Sequence, residues 1–379
     1  MSQARQIAFD VLLAVELGAQ AGELLDRNLA WIDSREAGLA TELVFGVLRR
    51  RAQLHELMSQ VASRRPELMD AKVRVAIELG AYQMRFLDRI PAHAAVSESV
   101  DLAKRARKQH AAAMVNAVLR RLPELPGKWA WEALGYSLPS WMYRRWTEHF
   151  GAEMARTLGA ASLERPEVYI RRPAAEPPPG CEATEVPGCW KVTGAVPENV
   201  RRMDIGAQTV VPLLELQSGQ RFLDLCAAPG NKTAQALETA GIDVVACDVS
   251  RARLDEFTVK NVRLMQVDAT ERLPFGAEFD RILVDAPCSG TGTLARNPEI
   301  RWRLRESDFA AHAERQRLAV RNALACLKPG GRLVYSTCSL EREENEEVVR
   351  AVAGSRVKSE HYRLPGRDAG DGFYAAVLT

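Results

Sequence analysis

From Gln220 onward, short apolar runs rich in β-branched residues alternate with helix-length spacers, and this alternation constrains the fold more than any other feature of the sequence. The runs fall at 221–226, 243–247, 262–267, 281–284 and 332–336. Strands separated by helical segments cannot close as hairpins. They cross over and align in parallel, with helices on both faces of the sheet. A doubly wound α/β sheet takes its ligands at the carboxyl ends of its strands, so the residues just past each run are the candidates for chemistry.

The first 122 residues follow a different period. Apolar residues recur at helical spacing, as in Ile7, Val11 and Val15, then Leu43, Val44, Val47 and Leu48, then Val115, Val118, Leu119 and Leu122. Pro66 and Pro91 fall at expected helix junctions. The pattern predicts an all-α domain over residues 1–127, closed by the Pro123-Glu-Leu-Pro126-Gly127 break. Residues 128–205 change texture, with Trp129, Trp131, Trp141, Tyr143 and Trp146 followed by a turn-rich stretch at 173–180. They are expected to form a small α+β connecting subdomain, and residues 206–379 the α/β domain.

With 47% hydrophobic and 26% charged residues, the composition is that of a soluble globular protein. No uninterrupted apolar run reaches about 18 residues, and the N-terminus lacks a leader pattern, so neither membrane insertion nor secretion is expected. Seven scattered cysteines do not resemble a disulfide framework; reduced thiols in a cytoplasmic protein are the expectation. The whole-chain charge of +2 does not announce a nucleic-acid partner, but it divides unevenly. Residues 1–128 hold 19 basic and 15 acidic residues, leaving 32 against 34 for the rest. The basic blocks Arg49–Arg51, Arg64–Arg65, Lys104–Lys108 and Arg120–Arg121 are either phosphate contacts or solvated helix faces.

The first run of the α/β domain leads into Cys226-Ala227-Ala228-Pro229-Gly230-Asn231-Lys232 and then a helical segment. A strand, a tight small-residue loop and a helix start let backbone approach a ligand closely. Cys226 and Asn231 stand where a phosphate-binding loop needs glycine, and there is no G-x-G-x-x-G fingerprint, so neither ATP nor NAD chemistry is supported. The second run ends in Asp248, suited to a ribose diol, and the third in Asp268, suited to the far end of the same ligand; singly, either aspartate is also a helix cap or turn residue. The fourth run leads to Asp285-Ala-Pro-Cys288 and the fifth to Thr337-Cys338-Ser339. Topology therefore predicts that Cys288 and Cys338 are neighbours on the active edge. No C-x-x-C pair or Cys/His spacing supports zinc, and no metal is expected.

The segments DLCAAPGNKT (224–233), VDAPCSGTG (284–292) and KPGGRLVYSTCSLEREENEEVV (328–349) resemble the motif series of the RsmB/Sun/Nop2 family of RNA cytosine-5 methyltransferases. The helical block resembles the NusB-like RNA-binding domain of the bacterial RsmB branch. The resemblance implies a Rossmann-like domain that uses S-adenosyl-L-methionine, held by residues 226–232, Asp248, Arg253, Asp268 and Asp285. It assigns Cys338 as the nucleophile, Cys288 to release of the product, and Asp285 to N3 of the base. Position alone would leave Cys288 a rival nucleophile, because DNA cytosine methyltransferases use a Pro-Cys motif, and the resemblance of Thr337-Cys338-Ser339 to the RNA family's element decides for Cys338. Lys232, Arg296, Arg301 and Trp302 are expected near the RNA, with core packing as the alternative for Trp302 and solvent for Lys232.

The implied substrate is an unpaired or extruded cytosine of small-subunit (16S) rRNA, bound by a monomer. tRNA, or a non-catalytic RNA-binding or antitermination-like role, are the alternatives. Three departures from the family pattern carry expectations. Asn231 replaces a usual glycine, and because asparagine tolerates a left-handed backbone, cofactor binding is expected to survive with an altered loop; the short 248–268 interval predicts a trimmed helix; residues 165–205, including a small RRM-like part, match weakly. The acidic run 341–347 reads as a solvated helix face without a catalytic role.

Overall fold

The computed structural model describes residues 2–174, 176–198 and 200–379. The chain divides into two compact units, one of residues up to Glu164 together with Asn297–Arg303, the other of Arg165–Arg296 and Leu304–Thr379. This division by contacts falls elsewhere than the expected boundaries at 127 and 205: of the described residues between them, the helices group with the first unit and the strands with the second. The aromatic stretch is what ties the helices Glu132–Gly135, Ser140–Phe150 and Ala152–Ala161 to the first unit. Trp146 is fully buried there, and Gln53 Nε2 and the Ala52 N–H donate to Gly135 O (2.8 Å) and Ser137 Oγ (3.1 Å). The turn-rich stretch at 173–180 includes Ala175, which lies outside the described residues.

In the first unit the apolar period becomes a core around the helices Gln3–Glu16, Ser34–Ser59 and Ala71–Phe86. Asp33 and Asp70 cap the latter two through the Arg35, Glu36 and Lys72 N–H groups. The helices approach closely at Gly46, where a Cβ would lie 2.0 Å from the Tyr82 ring. Of the basic blocks, Arg49–Arg51 is spent internally: Arg49 is buried, Arg50 lies 5.2 Å from the Phe86 ring centre, and Arg51 pairs with Glu16 at 2.7 Å. Arg64, Arg65, Lys104, Arg105, Arg107, Arg120 and Arg121 remain exposed.

The second unit carries two sheets. β1 (Tyr169–Arg171), β2 (Cys181–Ala183), β3 (Cys189–Val192) and β4 (Arg201–Arg202) form an antiparallel sheet of order β2-β3-β1-β4. The larger sheet holds β5 (Arg221–Asp224), β6 (Asp243–Asp248), β7 (Arg263–Gln266), β8 (Phe279–Asp285), β9 (Leu327–Thr337), β10 (Val357–Arg363) and β11 (Phe373–Leu378). Their order is β10-β11-β9-β8-β5-β6-β7. The five expected strands are parallel, but β11 runs antiparallel to β9 and to β10, so the sheet is mixed. The closing hairpin escaped the sequence reading because β10, Val-Lys-Ser-Glu-His-Tyr-Arg, is a largely exposed edge. Arg251–Asp255, five residues long, is the trimmed helix expected between β6 and β7.

A buried ionic cluster braces the first unit. Glu78 Oε1 meets His55 Nε2 at 2.6 Å, Arg51 Nε at 3.5 Å and Arg74 Nε at 3.7 Å, while Glu16 takes the other ends of both arginines. Burial pushes the Glu78 carboxyl up, but Arg51, His55 and Arg74 together pull it down to about 2. Glu78→Gln leaves this positive charge short of a partner and is expected to cost about 3 kcal/mol in urea unfolding at neutral pH. The depressed value fixes the sign. Stabilisation by Glu78 is full above its ordinary value of 4.5 and is lost as pH falls toward about 2, so wild type and variant converge on acidification.

Candidate functional site

Strand register builds the site. β8 and β9 pair in parallel with Asp285 opposite Ser336, so the chain leaves both strands side by side at their carboxyl ends. Three residues past Asp285 lies Cys288, and two past Ser336 lies Cys338; their Sγ atoms are 3.4 Å apart. Ser336 Oγ donates to Asp285 Oδ1 at 2.7 Å, and Lys232 Nζ donates to Asp285 Oδ2 at 2.6 Å. Lys232 reaches that carboxylate from the first turn of the helix Asn231–Thr239, which starts at the carboxyl end of β5 beside β8. Both oxygens of Asp285 are therefore held on the strands' exit side, next to the thiols.

Electrostatics separates the groups. Burial would lower the Lys232 ammonium, but Asp285 and then Asp224 outweigh it and keep the amine charged. The hydrogen bond with Cys338, then burial and the Glu344 charge, push the Cys288 thiol well up. Asp224, at the end of β5, is fully buried; desolvation drives its carboxyl up to about 7, against a Thr233 hydroxyl that donates to Oδ2 at 2.6 Å. Its role in the site was not anticipated from the sequence.

Two cavities flank this centre and share Cys226. The larger, about 500 Å³, is lined by Asp248, Val249, Arg253, Asp268, Ala286 and Pro287 among others. The smaller, about 380 Å³, is lined by Ala227 to Pro229, Asn231, Lys232, Asp285 and Arg296, with Asp224, Asp204 and Asp371. Asp248 accepts from the Ser250 N–H (2.9 Å) and the Ala228 N–H (3.3 Å) and pairs with Arg253 at 3.3 Å. Arg253 also donates to Ala228 O, so it ties the loop to the end of β6. Asp268 accepts from the Thr270 backbone at 2.8 Å and hydroxyl at 2.7 Å.

Several expectations need correction. The left-handed position of the cofactor loop is Gly230, at φ 100°, so Asn231 is not called on to adopt it and instead opens the helix. Arg296 lines the smaller cavity, but Asp204 (3.0 Å) and Asp371 (2.8 Å) engage its guanidinium, so it is not a free phosphate contact. Arg301 and Trp302 lie within the helical unit. Arg301 is 1% exposed and donates to Ser162 O (2.9 Å) and Ser137 O (3.3 Å), and the Trp302 indole donates to Leu48 O (2.7 Å). Trp302 thus follows its core-packing alternative, and Arg301 is too deeply buried to meet a phosphate.

The acidic run 341–347 is likewise not a simple solvated face, since Glu341, Glu344 and Asn345 are buried. Asn345 accepts from Thr337 Oγ1 (2.6 Å) and donates to Ser339 O (2.9 Å), bracketing Cys338. Charge density concealed these residues in the sequence. The segment is a short 3-10 turn followed by a helix, so no single helical face marks its buried side.

Among the described residues no group of three or more His, Cys, Asp or Glu could hold a metal, and no helix is long and apolar enough to cross a membrane. The crevice where strand order reverses beside β5, the loop at its mouth and the carboxylate ending β6 form the ligand edge of a doubly wound domain, and the family it matches makes it a methyltransferase that uses S-adenosyl-L-methionine. A family model described as 16S rRNA methyltransferase RsmB/F matches residues 211–379, and one described as the NusB family matches residues 2–124. The protein named ribosomal RNA small subunit methyltransferase B of Salmonella typhi is 30% identical over 97% of this chain and 96% of its own length. Its namesake in Cronobacter sakazakii is 31% identical over 96% and 95%. The chain belongs to this RsmB family, with a NusB domain ahead of its catalytic domain.

Solved structures agree on the fold. "Crystal Structure of PH0851" superposes with a TM-score of 0.83 at 21% identity, covering 100% of this chain and 98% of that one. NSun6 from Pyrococcus horikoshii with SFG gives 0.56 at 19% identity, over 63% and 97%.

The raised carboxyl of Asp224 yields a signed expectation. The folded protein holds this proton up to about pH 7 and the unfolded chain only to 3.8, so stability is lost as pH rises through that window. Asp224→Asn, whose amide oxygen can still accept from Thr233, is expected to melt higher than wild type above pH 7 and to lose this advantage toward pH 4. A melting difference that stays constant with pH would contradict the assignment.

Proposed function

We propose that this protein methylates carbon 5 of a cytosine in small-subunit rRNA through a covalent adduct with Cys338, and that Cys288 assists release. The observation that carries the reading is the 3.4 Å separation of two thiols fifty residues apart in sequence, beside a carboxylate held by Lys232 and Ser336. Carbon 5 of cytosine is a poor nucleophile, and one thiol added at carbon 6 makes it reactive; a second thiol is useful only if that adduct must also be taken apart.

The residues present fit S-adenosyl-L-methionine. The loop residues Cys226 to Pro229 line the smaller cavity, Asp248 stands at the end of β6 for a ribose diol, and Val249, Ala269, Ala286 and Pro287 give the larger cavity apolar walls for a purine near Asp268. When bound, the cofactor supplies an electrophilic methyl group.

The Cys338 thiolate forms the S–C6 bond, and the electron pair displaced from the C5–C6 double bond is stabilised toward N3, where Asp285 supplies a hydrogen bond or proton. Lys232 keeps its charge beside Asp285 and holds that carboxylate in place by a 2.6 Å ion pair. Carbon 5 then takes the methyl group. Loss of the carbon-5 proton, assisted by Cys288, returns the electron pair to C5–C6 as the S–C6 bond breaks and Cys338 leaves. The base must be unpaired or extruded for both carbons to be reached from one face. The exposed basic residues of the NusB domain, Lys104, Arg105, Arg107, Arg120 and Arg121, suit the phosphates of such an RNA.

Cys338→Ala is expected to abolish methyl transfer, and Cys288→Ala to accumulate a protein–RNA complex that survives denaturing electrophoresis. Retention of full turnover by the Cys338 variant would overturn the reading. Bisulfite mapping of rRNA and tRNA from cells with and without the protein identifies the substrate.

A further inference from the structure

The Glu344 carboxylate is fully buried and occupied on both oxygens. Oε2 accepts from the Ser289 N–H at 2.8 Å and from Gln316 Nε2 at 3.0 Å, and Oε1 accepts from Ser339 Oγ at 3.1 Å. Ser289 follows Cys288 in the chain and Ser339 follows Cys338, so one carboxylate grips the residue next to each thiol. The third donor anchors the arrangement to the rigid helix Asp308–Ala325, and Gln316 also donates to Pro287 O (2.9 Å), just ahead of Cys288. Behind the carboxylate, the Tyr335 hydroxyl of β9 donates to Glu344 O. The two serine hydroxyls are themselves 3.1 Å apart.

A buried carboxylate is costly unless several donors meet it, and here the donors come from the two loops whose spacing sets the distance between the thiols. An apolar side chain could fill the same volume, but it could not fix this register. Glu344 touches neither thiol and needs no contact with substrate. We propose that Glu344 is a positioning residue that holds the Cys288 loop against the Cys338 loop, so that the covalent adduct is resolved at speed. The proposal rests on the covalent reading above. It places the effect chiefly on release, because Cys338 is also held by the Thr337–Asn345 and Asn345–Ser339 bonds, whereas the Pro287-Cys288-Ser289 turn is held by Glu344, by Gln316 and by the Ser339 hydroxyl that Glu344 itself engages.

The test compares Glu344→Ala, Glu344→Gln, Cys288→Ala and Cys338→Ala in the full-length protein, with unmodified small-subunit rRNA transcript and radiolabelled S-adenosyl-L-methionine. Turnover, cofactor affinity and the fraction of RNA in denaturant-stable adduct are measured for each. Glu344→Ala is expected to lower turnover by about 100-fold, as a misplacement of about 1 Å does, with cofactor affinity kept and adduct accumulating. Glu344→Gln is expected to restore most of the turnover without adduct, because the amide oxygen can accept from Ser289 and Gln316 while its N–H donates to Ser339. A merely structural role would weaken cofactor binding and leave no adduct.

Adduct in Cys288→Ala but none in Glu344→Ala overturns the proposal alone; no adduct in Cys288→Ala overturns the covalent reading and the proposal with it. Should Glu344→Ala fail to bind cofactor, Gln316→Ala, which removes the anchor to the helix and borders the larger cavity, carries the test with its cofactor affinity measured alongside. Adduct accumulation in that variant supports the proposal, and wild-type turnover without adduct overturns it.

Discussion

The catalytic unit depends on the parallel pairing of β8 with β9. A parallel ladder makes adjacent strands end together, so whatever follows them is delivered to one edge. Here the ladder sets Asp285 against Ser336, and the loops that follow each carry a thiol. A slip of one residue would turn Asp285 to the other face of the sheet and carry Cys288 away from Cys338. The register is defended by the core behind it, where Ile282, Leu283, Val284, Leu333, Val334 and Tyr335 are all fully buried. The geometry of the thiols is thus inherited from apolar packing several residues upstream, and the polar network then refines it.

That inheritance explains why the groups at the strand ends are legible in the sequence. Strand ends are marked by hydrophobic pattern, so Asp248, Asp285, Cys288 and Cys338 could be placed without knowing any contact. Residues whose role arises from packing against a distant segment were not legible. Glu344 sits in a run of acids that resembles a solvated face, and only the fold reveals that Ser289, Gln316 and Ser339 converge on it. Arg301 and Trp302, basic and aromatic beside a cysteine loop, look like RNA contacts, yet they fill the interior of the helical unit. The closing hairpin was hidden for the opposite reason: an edge strand buries little, so β10 never needed an apolar signature.

Charge also reads differently once the fold is known. The excess of the helical half remains, but Arg49, Arg50 and Arg51 are turned to internal use against Glu16, Phe86 and their neighbours. The exposed positive residues lie instead at helix ends, around Lys104–Arg107 and Arg120–Arg121. In the catalytic half, the carboxylates that give the slight negative balance include Asp204, Asp371, Asp224 and Asp285, which gather around the smaller cavity with Lys232 and Arg296 among them.

The seven residues Asn297–Arg303 belong to the helical unit although they are encoded far beyond it. Arg301 satisfies carbonyls of Ser137 and Ser162, and the Ala21 N–H finds its acceptor in Glu299. A ribosome making this chain releases the helices of this unit before the segment that meets these groups, so the full set of hydrogen bonds within the unit closes only after Arg303 has emerged from the middle of the chain.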